Sequence, residues 1–158
     1  MIDFIIQCPK GRILFGGLAG VLGGNVTDQS DLAGIKVMVI DDSNTIRRSA
    51  EIFLVQSGCE VILAEDGFDA MAKIADHQPN VIFVDIMMPR LDGYQTCMLI
   101  KKNQRFRDTP VIMLSSKDGL FDRVRGRMVG SDEYLTKPFT KDSLLQAVKK
   151  YVLSRKAA

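Results

Sequence analysis

The sequence predicts an α/β protein with a five-stranded parallel sheet whose strands alternate with five helices. Three observations lead there. Apolar runs of strand length recur from Lys36 onward, each followed by a segment with helical spacing. The runs are almost continuously apolar rather than alternating, which implies a sheet covered on both faces. Strand and helix segments follow one another without interruption, and right-handed crossovers then leave few topologies.

The elements are justified in chain order. Residues 36–41 form an apolar run ending on Asp41-Asp42 and read as the first strand. Ser43 is a good N-cap for a helix over 45–57, which Gly58 ends. Residues 59–64 are the second strand. Phe68, Met71, Ala72 and Ala75 stand at helical spacing and predict a helix over 67–75. Residues 80–85 form the central strand, 90–93 a turn and 94–102 a helix. The strand at 110–115 ends on Ser115-Ser116. A helix over 120–129 follows, with Val124 and Met128 expected on its buried side. A short strand at 133–136 leads into Lys137-Pro138, and 142–153 is the closing helix.

With 158 residues, the chain is long enough for one domain with a full core. A net charge of +2 gives no general reason to expect nucleic-acid or membrane binding, and no helix-turn-helix remains unassigned. Cys8, Cys59 and Cys97 lack metal-ligand spacing and are odd in number, which fits a reducing, cytoplasmic setting. His77 is the only histidine, so a histidine-rich metal site is excluded and a Ser-His-Asp triad is disfavoured; its polar neighbours suggest an exposed helix end without a role. Residues 1–33 read as an N-terminal extension, expected to be poorly ordered. Its glycine-rich apolar stretch at 13–24 is shorter than the roughly 20 residues of a membrane span, and an interaction or targeting segment is the alternative.

In an open parallel sheet, ligands bind beyond the carboxyl ends of the strands. Asp41, Asp42, Asp85, Ser115 or Ser116, and Lys137 would converge there. Asp85 is the candidate nucleophile, since carboxylates form acyl phosphates. Attack on a phosphoryl group by a bare carboxylate meets like-charge repulsion, so a cation is needed. Asp41-Asp42 offer hard oxygen ligands of the kind Mg²⁺ takes. Lys137 and a serine hydroxyl can grip an anion. Alone, Asp41-Asp42 reads equally well as an acid pair at a helix N-terminus, and Lys137 as a surface turn residue; the convergence with Asp85 favours the site.

Asp41-Asp42, Asp85 with Met88-Pro89 and Asp92-Gly93, Ser115-Ser116, and Lys137-Pro138-Phe139 together resemble the motif set of the response-regulator receiver family, over roughly residues 35–155. The resemblance implies a flavodoxin-like, doubly wound sheet of order 2-1-3-4-5. It makes Asp85 the phosphoacceptor and implies Mg²⁺ held by Asp42, Asp85 and the Met87 carbonyl, with Asp41 in the outer shell. Ser115 takes the switch-hydroxyl position, Tyr134 the switch-aromatic position, and the Lys137-Pro138 bond would be cis. The implied partners are a histidine kinase or phosphotransfer domain and a downstream protein met through the 117–154 face. Lys117, Arg123, Arg125 and Arg127 there read either as a solvated surface or as a basic docking surface. Met87 and Lys117 offer no carboxylate or amide to orient water, which implies slow self-hydrolysis.

The sequences 37–48, 92–97 and 115–122 resemble, more narrowly, single-domain regulators of the chemotaxis-like system for type IV pili and twitching motility. The expected function is therefore a phospho-aspartate switch that catalyses only its own phosphorylation and dephosphorylation. Two alternatives stand beside it. An unphosphorylated adaptor would lack use for the intact acids, hydroxyl and lysine. A phosphatase of the haloacid-dehalogenase type needs a second acid two residues after the nucleophile, where this chain has Met87.

Overall fold

The computed structural model describes residues 31–116 and 119–156, together with two short strands, Ile6–Gln7 and Ile13–Leu14, that pair antiparallel. The expectation for the rest of residues 1–30, and those for Cys8 and Lys117, lie outside the described residues. Five strands form one parallel sheet: β1 (Lys36–Ile40), β2 (Glu60–Ala64), β3 (Val81–Asp85), β4 (Val111–Ser115) and β5 (Glu133–Thr136). Their spatial order is β2-β1-β3-β4-β5. The helices between them are α1 (Asn44–Gln56), α2 (Gly67–His77), α3 (Gly93–Lys102), α4 (Leu120–Met128) and α5 (Lys141–Lys156).

Side chains alternate across the pleat and build a core on each face. Val37, Val39, Val81, Phe83, Ile112 and Leu114 pack with Ala50 and Leu54 of α1 and with Leu144, Val148 and Val152 of α5; Leu32 is buried among them. Met38, Ile40, Ile82, Val84 and Met113 face Ala70 and Ile74 of α2 and Cys97 and Ile100 of α3. All five residues of β3 and of β4 are buried, which is why these strands read as unbroken apolar runs.

Four helices begin with a side-chain cap at the carboxyl edge of the sheet. Ser43 Oγ accepts from the Ile46 amide, Asp66 from the Asp69 amide, and Asp92 with Gln95 forms a capping box. Before α5, Thr140 Oγ1 accepts from the Ser143 amide while Ser143 Oγ accepts from the Thr140 amide. The remaining helix, α4, has Gly119 at its N-cap and no side-chain cap bond. Gly93 lets α3 start directly against β3: a Cβ there would overlap the Asp85 carbonyl oxygen and lie 2.7 Å from Ile86 Cα.

Two helix faces differ from expectation. The inward side of α2 is Gly67, Ala70, Met71 and Ile74, whereas Phe68, Ala72 and Ala75 are exposed. Gly67 lies so close to Thr96 and Leu91 that a side chain there would collide, so the smallest residue faces in. The inward side of α4 is Asp122, Gly126 and then Val129, and the expected buried residues Val124 and Met128 are 50% and 81% exposed. A Cβ on Gly126 would stand 2.9 Å from Ser131 Oγ, so close approach turns this face inward. Lys101, at the end of α3, has its ammonium largely withdrawn from solvent. Lys101 donates to Asp132 at 2.7 Å and to the Thr109 carbonyl at 2.9 Å, tying α3 to the start of β5.

Candidate functional site

The carboxyl edge of β1, β3 and β5 brings Asp41, Asp85 and Lys137 together. Asp41 continues the parity of Val37 and Val39, Asp85 that of Val81 and Phe83, and Lys137 that of Leu135, so all three lie toward the α1 and α5 side. Asp41 is fully buried and both its carboxylate oxygens are engaged. Oδ1 accepts from the Ser43 amide at 2.9 Å, and Oδ2 from Lys137 Nζ at 2.5 Å. Lys137 Nζ also stands 3.1 Å from Asp85 Oδ1. Asp42 is exposed and accepts no hydrogen bond among the described residues. Ligand oxygens of Asp41, Asp42 and Asp85 all lie within 4.8 Å of one another.

The electrostatics follow from this crowding. Burial, and then the neighbouring Asp41 charge, push the Asp85 carboxyl up to about 6; Lys137 and the Met87 amide pull it down by less. Burial pulls Lys137 down, but the hydrogen bond and charge of Asp41, with those of Asp85, outweigh it and hold the ammonium above its ordinary range. One ammonium serves two carboxylates while a third faces solvent. That surplus of hard oxygen donors fits a divalent cation of the Mg²⁺ type.

Ser115 ends β4 in register with Thr136 and is buried, whereas Ser116 is exposed. Its strand parity is that of Met113, on the face where Tyr134 packs. Tyr134 is half-buried on β5, and its hydroxyl stands 3.4 Å from Asp122 Oδ2. The Lys137-Pro138 bond is cis. Met87 is 72% exposed at the mouth of the site. A cleft of about 510 Å³ runs from Asp42 past Met87 and Pro89 to Tyr94, Asp122 and Arg125.

Several residues of this neighbourhood carry no advance signal in the sequence. Arg47 donates to the Asp41 carbonyl at 2.6 Å, fixing the turn that presents both aspartates. Arg90 has a left-handed backbone, φ 67°, ion-pairs with Asp66 and lies over the Phe68 ring at 5.7 Å; it braces the loop that carries Met87. Tyr94 and Asp122 meet through tertiary contact alone. The spacing that could have found them is the packing of α3 against α4, which one sequence does not display.

A doubly wound sheet with clustered carboxylates and a lysine at its strand ends defines a class of cation- and phosphoryl-binding switch proteins. The chain belongs to the response regulator receiver domain family, which matches residues 37–149. It is 71% identical over 126 residues to protein PilG of Pseudomonas aeruginosa PAO1, spanning 80% of this chain and 92% of PilG. Among solved structures it is similar to the chemotaxis protein CheY4 of Vibrio cholerae, with TM-score 0.73 and 31% identity over 75% of this chain and 99% of CheY4. The receiver domain of the sensor histidine kinase PA1611 of P. aeruginosa, which has a magnesium ion coordinated in its active-site cleft, matches with TM-score 0.71 and 27% identity, over 76% of this chain and 98% of that domain. Receiver domains are signalling elements of two-component systems rather than conventional enzymes, and their partner is a histidine kinase or phosphotransfer protein. No helix among the described residues is long and apolar enough to cross a membrane.

Proposed function

We propose that the chain is a phospho-aspartate switch with Asp85 as its acceptor. The observation that carries this reading is Lys137 held between Asp41 and Asp85, at 2.5 Å and 3.1 Å, with Asp42 open beside them. In the transfer, the phosphorus–nitrogen bond of a partner's phosphohistidine breaks. Its electron pair returns to the imidazole, and an Asp85 oxygen bonds to phosphorus. Asp42, Asp85 and the Met87 carbonyl would hold Mg²⁺, with Asp41, whose oxygens are already engaged, in the outer shell. When bound, the ion neutralises charge on the transferring phosphoryl oxygens. Lys137 exchanges its contact with Asp85 for a phosphoryl oxygen, and the Ser115 hydroxyl donates to another. Tyr134 then turns in behind Ser115.

The output is protein contact through the 117–154 face. Leu120, Val124 and Met128 are exposed there beside Arg123, Arg125 and Arg127, and a groove of about 400 Å³ is lined by Arg123, Arg127, Tyr134, Asp132 and the paired Glu133 and Lys150. Apolar side chains interleaved with cations suit an acidic, amphipathic partner segment. The motif resemblance and the 71% identity to PilG support a place in a chemotaxis-like system controlling type IV pili and twitching motility. Buried, unpaired Cys59 and Cys97 are consistent with a cytoplasmic setting.

The test is intact mass after incubation with Mg²⁺ and acetyl phosphate or phosphoramidate, beside Asp85→Asn. One added phosphoryl group on the unmutated chain alone is expected. No adduct with any donor would favour the unphosphorylated adaptor. Met87 orients no water, so hydrolysis is slow; decay followed by the same assay should take minutes or longer, and a lifetime of seconds would contradict this.

A further inference from the structure

Helix α4 is fastened to the domain by polar contacts in its first turn. The Asp122 carboxylate, in its first turn, accepts from two tyrosine hydroxyls on different elements. Tyr94 of α3 stands 3.1 Å from Oδ1, and Tyr134 of β5 stands 3.4 Å from Oδ2. The Tyr94 hydroxyl is also 3.3 Å from the Asp122 carbonyl. Each ring is covered by an arginine of the same helix: Arg125 lies 4.6 Å from the Tyr94 centroid and Arg123 lies 5.7 Å from that of Tyr134. Three apolar side chains of this helix contribute little to that fastening. Leu120, Val124 and Met128 are 77%, 50% and 81% exposed.

The two arms of this clasp are unequal. Tyr94 is 6% exposed and belongs to the core between α2, α3 and the sheet, so it cannot move without opening that core. Burial, and then its hydrogen bond to Asp122, push its phenol up to about 12, so the hydroxyl keeps its proton for the carboxylate. Tyr134 lies half-buried on the edge strand, where a ring can turn. Asp122 and Tyr94 also form the far wall of the cleft that begins at Asp42 and Met87, so the acid site and the clasp share one cavity.

We propose that Asp122 is a positioning residue that holds α4 and Tyr134 in the resting arrangement, with Tyr94 as its fixed anchor. Switching breaks the arm to Tyr134 and keeps the arm to Tyr94. This rests on the phospho-aspartate reading above. An inward turn of Tyr134 forfeits its bond to Asp122, so that bond biases the domain toward rest. Tyr94 stays bonded in both arrangements and biases neither. By linkage, removing a bias against the switched arrangement tightens binding of whatever favours it, by the same factor. A contact of one net hydrogen bond corresponds to about fivefold.

The test uses the full chain with Asp122→Ala and Tyr94→Phe, and beryllofluoride with Mg²⁺ as the phosphoryl mimic. Amide hydrogen exchange is read without ligand, and beryllofluoride affinity is read from amide chemical shifts. Asp122→Ala should speed exchange in 120–128 and tighten beryllofluoride binding about fivefold. Tyr94→Phe should speed exchange in α4 while changing that affinity less than about twofold, because its bond is present in both arrangements. Unchanged α4 exchange, or unchanged or weaker beryllofluoride binding in Asp122→Ala, overturns the proposal. If the unmutated chain takes up no beryllofluoride, the acid-site reading fails instead, and α4 exchange alone then supports or overturns the clasp.

Discussion

The acid site and α4 share one cleft but are held in opposite ways. At the acid site, strands of the sheet deliver Asp41, Asp85 and Lys137, and backbone amides and buried ion pairs fix each group. At α4, the helix has no side-chain cap, turns a glycine and an aspartate inward, and leaves Leu120, Val124 and Met128 largely in solvent. The first arrangement suits chemistry, where displacement of a donor costs rate. The second suits a reporter, which must have two arrangements close in free energy.

The strongest challenge to this contrast is loss of Lys137. Lys137→Ala leaves Asp41 and Asp85 buried without their counter-charge and should cost about 2–4 kcal/mol in urea unfolding at pH 7 without Mg²⁺. The cost should shrink toward pH 5, where Asp85 takes up a proton. A loss below about 0.5 kcal/mol would mean that the acid site is no more constrained than a surface ion pair.

The next effect has the opposite sign. The Asp85 carboxyl titrates at about 6 in the fold against 3.8 ordinarily, so the folded state holds its proton to higher pH than the unfolded state. Its contribution to stability therefore falls as pH rises from about 4 to 6 and is least favourable above that. Asp85→Asn should stabilise the metal-free domain at pH 7 by about 1–2 kcal/mol, with the gain fading toward pH 4. A variant less stable than the original at pH 7 would contradict the charge crowding.

These are statements about strand ends, where the sequence was most legible. An apolar run stopping on a carboxylate marks both the strand and its chemistry, because buried parallel strands are apolar throughout and sites lie at their carboxyl ends. The five strands, their helices and the cluster of Asp41, Asp42, Asp85 and Lys137 could be read this way. The orientation of α2 and α4 could not. In both helices a glycine faces inward because a neighbouring element comes close, so apolar spacing found Met71 but otherwise pointed to residues on the outside, Phe68, Ala72 and Ala75 in one and Val124 and Met128 in the other. The link from Asp122 to Tyr94 was equally hidden, since the two are 28 residues apart and Asp122 belongs to no apolar pattern.

The smallest expected effect sharpens the same contrast. Val124→Ser and Met128→Ser should each change stability by less than about 0.5 kcal/mol, as exposed positions do. Losses of about 2 kcal/mol, the scale of a buried side chain, would restore the packing that helical spacing alone suggests.

The coupling between the two regions is tested most directly by regional amide hydrogen exchange of the unmutated chain in Mg²⁺, with and without acetyl phosphate, beside Asp85→Asn. Altered exchange in 115–137, with 44–56 unchanged and no response from Asp85→Asn, is the expected result. An adduct on Asp85 that leaves α4 and β5 exchanging as before would show that the chemistry at the strand ends does not reach this face.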